Sequence, residues 1–180
     1  QDALGNDLTT SNFPVTVAIA SGPGGVLSGG TIALTNALGR ATFTTLTITG
    51  PTGLYTLQFT GTGVTGVTSS TITLTAGTAA RLAVVTQPTT AQSGIVFPVA
   101  PTVQVQDAAG NPVSTTRSIS VLSNSGSAVL SGTLSRTTNT SGLATFTGLV
   151  LTGPVGPNTL LFSSAGLTTD TTAVINLTAG

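Results

Sequence analysis

Acid–base and nucleophilic catalysis need a group that titrates near working pH, or a hydroxyl beside one. This chain of 180 residues offers four aspartates, Asp2, Asp7, Asp107 and Asp170, four arginines, and no histidine, cysteine, lysine or glutamate. Its many Ser and Thr hydroxyls therefore have no base to activate them. Asp2 and Asp107 open the matching blocks QDALGN (Gln1 to Asn6) and QDAAGN (Gln106 to Asn111), so they read as one turn feature used twice rather than as a carboxylate dyad. Asp2, Asn6 and Asp7 could also be read as oxygen ligands for calcium, but Pro112 stands in the place of Asp7 in the second copy. An Asp that caps its own turn, with Gly-Asn supplying positive φ, accounts for both copies. No catalytic, cofactor-binding or metal-ligating residue is assigned, no cofactor is expected, and the chain reads as a non-enzyme.

The remaining chemistry is quickly bounded. Without His or Cys the ordinary zinc and iron ligand sets are missing, and no disulfide can form. Glycine is abundant, yet no phosphate-cradling spacing sits between a strand and a helix. A net charge of zero with no basic stripe gives nothing to steer nucleic acid. The apolar runs, such as Leu82 to Val85 and Ile95 to Ala100, are far shorter than the roughly 18 residues of a membrane span. Phe43, Phe59, Phe146 and Phe162 fall at matching inward positions and read as core, while Tyr55, opposite Asn158 in the other copy, reads as exposed. Two sequons, at Asn139 and Asn176, are candidate glycan acceptors. An intramolecular Lys–Asn crosslink is excluded by the absence of Lys.

The elements that would position these residues come in two copies. LSG stands at Leu27 to Gly29 and Leu130 to Gly132, ATF at Ala41 to Phe43 and Ala144 to Phe146, TAG at Thr75 to Gly77 and Thr178 to Gly180, all at one constant offset. So long a period copies a whole small domain rather than a solenoid turn. Two domains are expected, 1–77 and 78–180, with Thr78 to Arg81 as a short joint.

Within each copy the periodicity is two. Phe13, Val15, Val17 and Ile19 alternate with smaller or polar residues, and Ile32 with Leu34, Leu57 with Phe59, and Ile72 with Leu74 continue the pattern. The second copy answers with Ile119 and Val121, Leu160 and Phe162, and Ile175 and Leu177. Thr dominates the opposite faces, since its branched Cβ suits a pleated backbone and its hydroxyl suits water. A one-residue slip between Phe43 and Leu46, and between Phe146 and Leu149, marks a bulge or a strand ending in a crossover. About seven short strands per hundred residues, with frequent turn signals, predict an all-β chain of two tandem immunoglobulin-like antiparallel β-sandwiches.

The phrases VQDAAGNPV and GLATFTGL, with LSG and LTAG, resemble the bacterial Ig-like repeats strung in tandem through large exported surface and matrix proteins. The resemblance covers both copies. It implies a secreted or cell-surface setting, in stalks, adhesins or matrix proteins, and no catalysis by the repeat itself.

The first copy begins at the equivalent of Gln106, so it lacks counterparts of Thr78 to Val105, the first two strands of the second. Open sheet edges are expected there, either because the chain is a window on a longer array or because another subunit adds the missing strands by β-augmentation. Charged residues make up only 4% of the chain, against roughly 25–35% on a typical soluble surface, which leaves little repulsion between copies. The expected function is structural: an extracellular stalk or self-assembling filament with neighbouring subunits or adjacent repeats as partners. The alternative is an adhesin or carbohydrate-binding module using the loops Ser21 to Gly25 and Asn124 to Ser127.

Overall fold

The computed structural model describes residues 9–180, and every regular element among them is a β-strand. The chain falls into two compact units, Gln1–Thr75 and Ala76–Gly180.

Unit 1 contains β1 (Pro14–Ser21), β2 (Val26–Ser28), β3 (Ile32–Leu34), β4 (Thr47–Thr49), β5 (Gly53–Gly61), β6 (Val64–Thr68) and β7 (Ile72–Leu74). The long strands β1 and β5 pair antiparallel, with Val17 opposite Phe59 and Ile19 opposite Leu57. β3 adds to the other edge of β1, and β6 and β7 share the far edge of β5, giving the order β3-β1-β5-β6. β2 and β4 form a separate ribbon. Alternation puts Val17, Tyr55 and Leu57 inside. It fails on β3, where Ile32 and Leu34, expected inward, are 62% and 58% exposed. β3 is an edge strand of three residues, and its pairing places Ala33 opposite the inward Val15, so its two larger side chains take the other face.

Unit 2 contains β8 (Arg81–Thr86), β9 (Thr90–Gln92), β10 (Thr102–Gln106), β11 (Ser118–Ser125), β12 (Val129–Ser131), β13 (Ser135–Thr137), β14 (Leu143–Thr145), β15 (Val150–Thr152), β16 (Gly156–Ser163), β17 (Asp170–Thr171) and β18 (Ile175–Thr178). One sheet runs β14-β10-β8 and the other β13-β11-β16-β18-β9, with β9 parallel to β18. This is an immunoglobulin-like sandwich. The first of its two expected opening strands is broken. Buried Pro88, which has no backbone N–H to give a ladder, separates β8 from β9, and the two halves join opposite sheets. Between the layers a single core joins Leu82, Val103, Val105, Ile119, Phe146 and Phe162 among others, and all of its members belong to unit 2.

The repeated phrases have local causes. The Gly of LSG follows β2 and β12 at φ 94° and 99°, a region that disfavours other residues. A Cβ there would lie 2.0 Å from the carbonyl oxygen of Thr45 or Gly148. The one-residue slip after the second ATF is the place where the chain leaves one layer: β14 pairs with β10, and β15, after a turn, pairs with β12.

Candidate functional site: the open face of unit 1

In unit 2 the strands β8, β9 and β10 cover the inner face of β11 and β16. Phe146 and Phe162 meet there at 5.0 Å between ring centroids, and both are 0% exposed. The corresponding pair in unit 1, Phe43 and Phe59, meets at 5.5 Å with nearly the same tilt. Those rings are only half-buried, as are Val15, Leu46 and Ile48, whose counterparts Ile119, Leu149 and Leu151 are fully buried. Two hollows open on this face. One of about 540 Å³ is lined by Val15, Ala41, Phe43, Leu46 and Phe59. The other, about 410 Å³, lies between Phe13, Leu38, Arg40 and Val64.

Two backbone edges border the hollows. β14 pairs with β10 in unit 2, through Val103 opposite Ala144. Its unit 1 counterpart, residues 40–42, forms no strand. β18 carries β9 on its outer edge, whereas among the described residues β7 pairs only with β5. A third difference follows from the same cause. In unit 2 the segment after β16 keeps only the two-residue β17 paired with β16 and otherwise reaches β8, with Leu82 N–H donating to Thr168 O (2.9 Å) and Val84 N–H to Asp170 Oδ2 (2.8 Å). The matching segment of unit 1 folds back on β5 as the five-residue β6.

The two aspartates among the described residues, Asp107 and Asp170, do structural work. Asp107 is 4% exposed. Its Oδ1 accepts from Asn111 N–H (2.8 Å), and its Oδ2 accepts from Gly77 N–H (2.8 Å) and the Asn111 side-chain amide (2.9 Å). Burial alone would raise its pKa. The hydrogen bonds from the Asn111 side chain and from the Gly77, Asn111 and Ala109 backbone outweigh it and hold the carboxyl at about 2, against an ordinary 3.8. This is the expected turn device with one difference: Gly110 takes positive φ, at 91°, and Asn111 does not. Asp170 is spent on Val84 N–H and Thr171 N–H. Among the described residues no three His, Cys, Asp or Glu side chains gather to hold a metal ion. Asp2, Asn6 and Asp7 lie outside the described residues.

Tyr55 is a correction. It is 0% exposed, and its hydroxyl donates to Pro51 O (2.7 Å) and Gly24 O (3.2 Å). Asn158 stands in its place in unit 2, donating to Gly156 O and accepting from Ala128 N–H. Both side chains satisfy the backbone of the loop after β1 or β11, and the larger one matches the longer loop, Gly22 to Gly25 against Gly126 to Ala128. Both loops present small residues to solvent. Asn139 is exposed at the tip of a turn, its Oδ1 accepting from Ser141 and Leu143 N–H, and Asn176 is exposed on β18.

One pair of working residues escapes a reading by type. Thr35 and Thr138 are buried, and each hydroxyl donates to a carbonyl, of Thr10 or Thr115, while accepting from the Phe13 or Arg117 N–H. The signal was present: the dipeptide Thr-Asn recurs at 35–36 and 138–139, at the offset of the other repeated phrases.

No family model matches the chain, and no curated protein does. Among solved structures it is similar to the D0-D1 domain of Intimin, at 19% identity and TM-score 0.36 over 100% of this chain and 84% of that one. It is similar to domains 4 and 5 of the S-layer protein SbsC, at 17% identity and TM-score 0.41 over 99% and 78%. A beta-glycosidase from Bacteroides vulgatus matches at 15% identity and TM-score 0.43 over 91% of this chain, which spans 21% of the glycosidase. At TM-scores of 0.36 to 0.43 none of these likenesses assigns a function.

Proposed function

We propose that the chain is a non-catalytic structural protein of the cell surface, a pair of tandem Ig-like repeats in an exported stalk or self-assembling filament. In this reading unit 2 is a closed spacer and unit 1 is a joining module that meets a neighbour through its open face. One observation carries it: equivalent phenylalanines are fully enclosed in unit 2 and only partly buried in unit 1. Exposed apolar surface of this kind marks interaction sites. The surface chemistry supports assembly, since Ser and Thr hydroxyls bond across strands, as in Ser21–Thr56 and Ser125–Thr159, where other proteins place charges. The resemblance of the repeated phrases to exported bacterial Ig-like repeats supports the extracellular setting. Nucleic acid and the bilayer interior are not among the proposed partners, and Asn139 and Asn176 are the candidate glycan acceptors, to be decided by intact mass.

Electron microscopy of native material tests the reading. Regular strings or lattices of bead-like domains are expected. Isolated, monodisperse monomers at every accessible concentration would overturn it.

A further inference from the structure

The open face and its two bare edges are arranged as they are in unit 2, where one continuous segment occupies all three. There β10 runs antiparallel to β14, β9 runs parallel to β18, and Leu82, Phe97, Val103 and Val105 close over Phe146 and Phe162. That segment, Leu82 to Gln106, contains no charged residue, alternates apolar with polar residues along β10, and alternates buried with less buried positions along β8. The hollows it would fill in unit 1 are lined almost wholly by apolar and hydroxyl side chains, with Arg40 the one charge. A second copy cannot supply the segment from its own unit 2 without uncovering an equal face there, so the exchange gains no buried apolar area.

We propose that this face of unit 1 is an acceptor for an uncharged, extended polypeptide segment of the Leu82 to Gln106 chemistry, one that is not part of these 180 residues, pairing antiparallel to residues 40–42 and parallel to β7. The inference rests on the reading of unit 1 as a joining module and names what the neighbour must bring: a strand pair rather than a closed domain. Main-chain pairing at two edges supplies the affinity, and alternate apolar side chains entering the hollows set the register.

The test adds a synthetic peptide of the sequence Leu82 to Gln106 to the full 180-residue chain, beside a peptide of the same composition in scrambled order. Saturable one-to-one binding of the first peptide only is expected, with slowed amide exchange at residues 41–43 and 72–74. Phe43→Ser should weaken binding by about tenfold or more, the scale of losing a buried aromatic contact, while the near-ultraviolet signal of Tyr55, the sole tyrosine, reports that unit 1 is still folded. The proposal is overturned by no saturable binding, by equal binding of the scrambled peptide, or by binding that leaves those amides unprotected. It is also overturned if two copies pair through the same amides and the peptide cannot displace one, which would give the face to a second copy. Native lattices without peptide binding would sink this inference and spare the structural role; peptide binding by a chain that never assembles would do the reverse.

Discussion

Units 1 and 2 share their repeated phrases and part company wherever a strand needs a partner from far away in sequence. β1 and β11, β5 and β16, and the ribbons β2–β4 and β12–β15 form alike, down to a register shift at the same place, after Ile19 in one and Ser123 in the other. Residues 40–42 and 143–145 both run into an ATF phrase, yet only the second is a strand, because only it has β10 beside it. Residues 67–68 and 170–171 keep one register on β5 and β16, but 64–66 and 167–169 diverge, because β8 is present in one unit and has no counterpart among the described residues of the other. Local pattern proposes a strand and long-range pairing disposes, as expected where strand preference is mostly a matter of neighbours.

The comparison breaks first, or holds, at the phenylalanines. Phe146→Ala should cost unit 2 about 3–5 kcal/mol, the range for emptying an enclosed aromatic site. Phe43→Ala should cost unit 1 on the order of 1–2 kcal/mol, since that ring is already partly in water and no closed cavity results. Urea titration followed by amide exchange in peptides from each unit measures both. Equal losses would mean that Phe43 is enclosed after all.

That contrast marks what the sequence made legible. Period-two alternation located the long strands β1, β5, β11 and β16 and their neighbours β7 and β18, but not three-residue strands such as β2, β12, β13 and β15, and the repeat located the inward Phe pairs, because both depend on side chains within a few residues of each other. The exposure of Ile32 and Leu34 was not legible, since it depends on which strand β3 joins and in what register. Tyr55 was misplaced for a related reason: opposition to Asn158 suggests a polar surface, whereas both residues are inward and bond to backbone groups at the end of the sandwich. The open face itself followed from the missing equivalents of Thr78 to Val105. Its two hollows, and the extension of the β5 pairing to Val64, belong to geometry that no local pattern encodes.

Asp107 sharpens the comparison through pH. Its folded value of about 2 lies below 3.8, so the ionised carboxylate contributes stability that is fully present above the ordinary value and is lost as pH falls through about 2. The size is about 2 kcal/mol. Unit 2 should therefore soften between about pH 4 and pH 2, and Asp107→Asn should remove that acid limb while costing about 2–3 kcal/mol at neutral pH, since an amide nitrogen would face the N–H of Gly77 or Asn111. An acid limb that survives the substitution would assign it to another group.

The LSG glycines ask how far each unit can yield. Gly132→Ala meets the Gly148 carbonyl at 2.0 Å with φ at 99°, and Gly29→Ala meets the Thr45 carbonyl at 2.0 Å with φ at 94°. On geometry the two are equal, with strain of order 1–3 kcal/mol. The segment from Ala41 to Leu46 is not held in a sheet, so it can shift away, and Gly29→Ala should cost about half as much as Gly132→Ala by thermal unfolding. Equal costs would show that unit 1 is as rigid as its closed neighbour.

The smallest effect belongs to the Tyr55 hydroxyl. Tyr55→Phe keeps the ring that packs under Gly22 and Gly25 and removes only the bonds to Pro51 O and Gly24 O. A net hydrogen bond is worth about 0.5–1.5 kcal/mol, and an acceptor left without a partner costs more only where water cannot reach it. Pro51 and Gly24 are themselves exposed, so water can replace the phenol at both carbonyls, and the loss should fall at about 0.5 kcal/mol with faster amide exchange confined to residues 22–25. Asn158→Ala in unit 2 deletes the matching support where Ala128 is buried, so it should cost more, about 1–3 kcal/mol. If Tyr55→Phe proved the costlier of the two, the loop of unit 1 would be sealed from solvent and the contrast between an open and a closed unit would fail at this end of the fold.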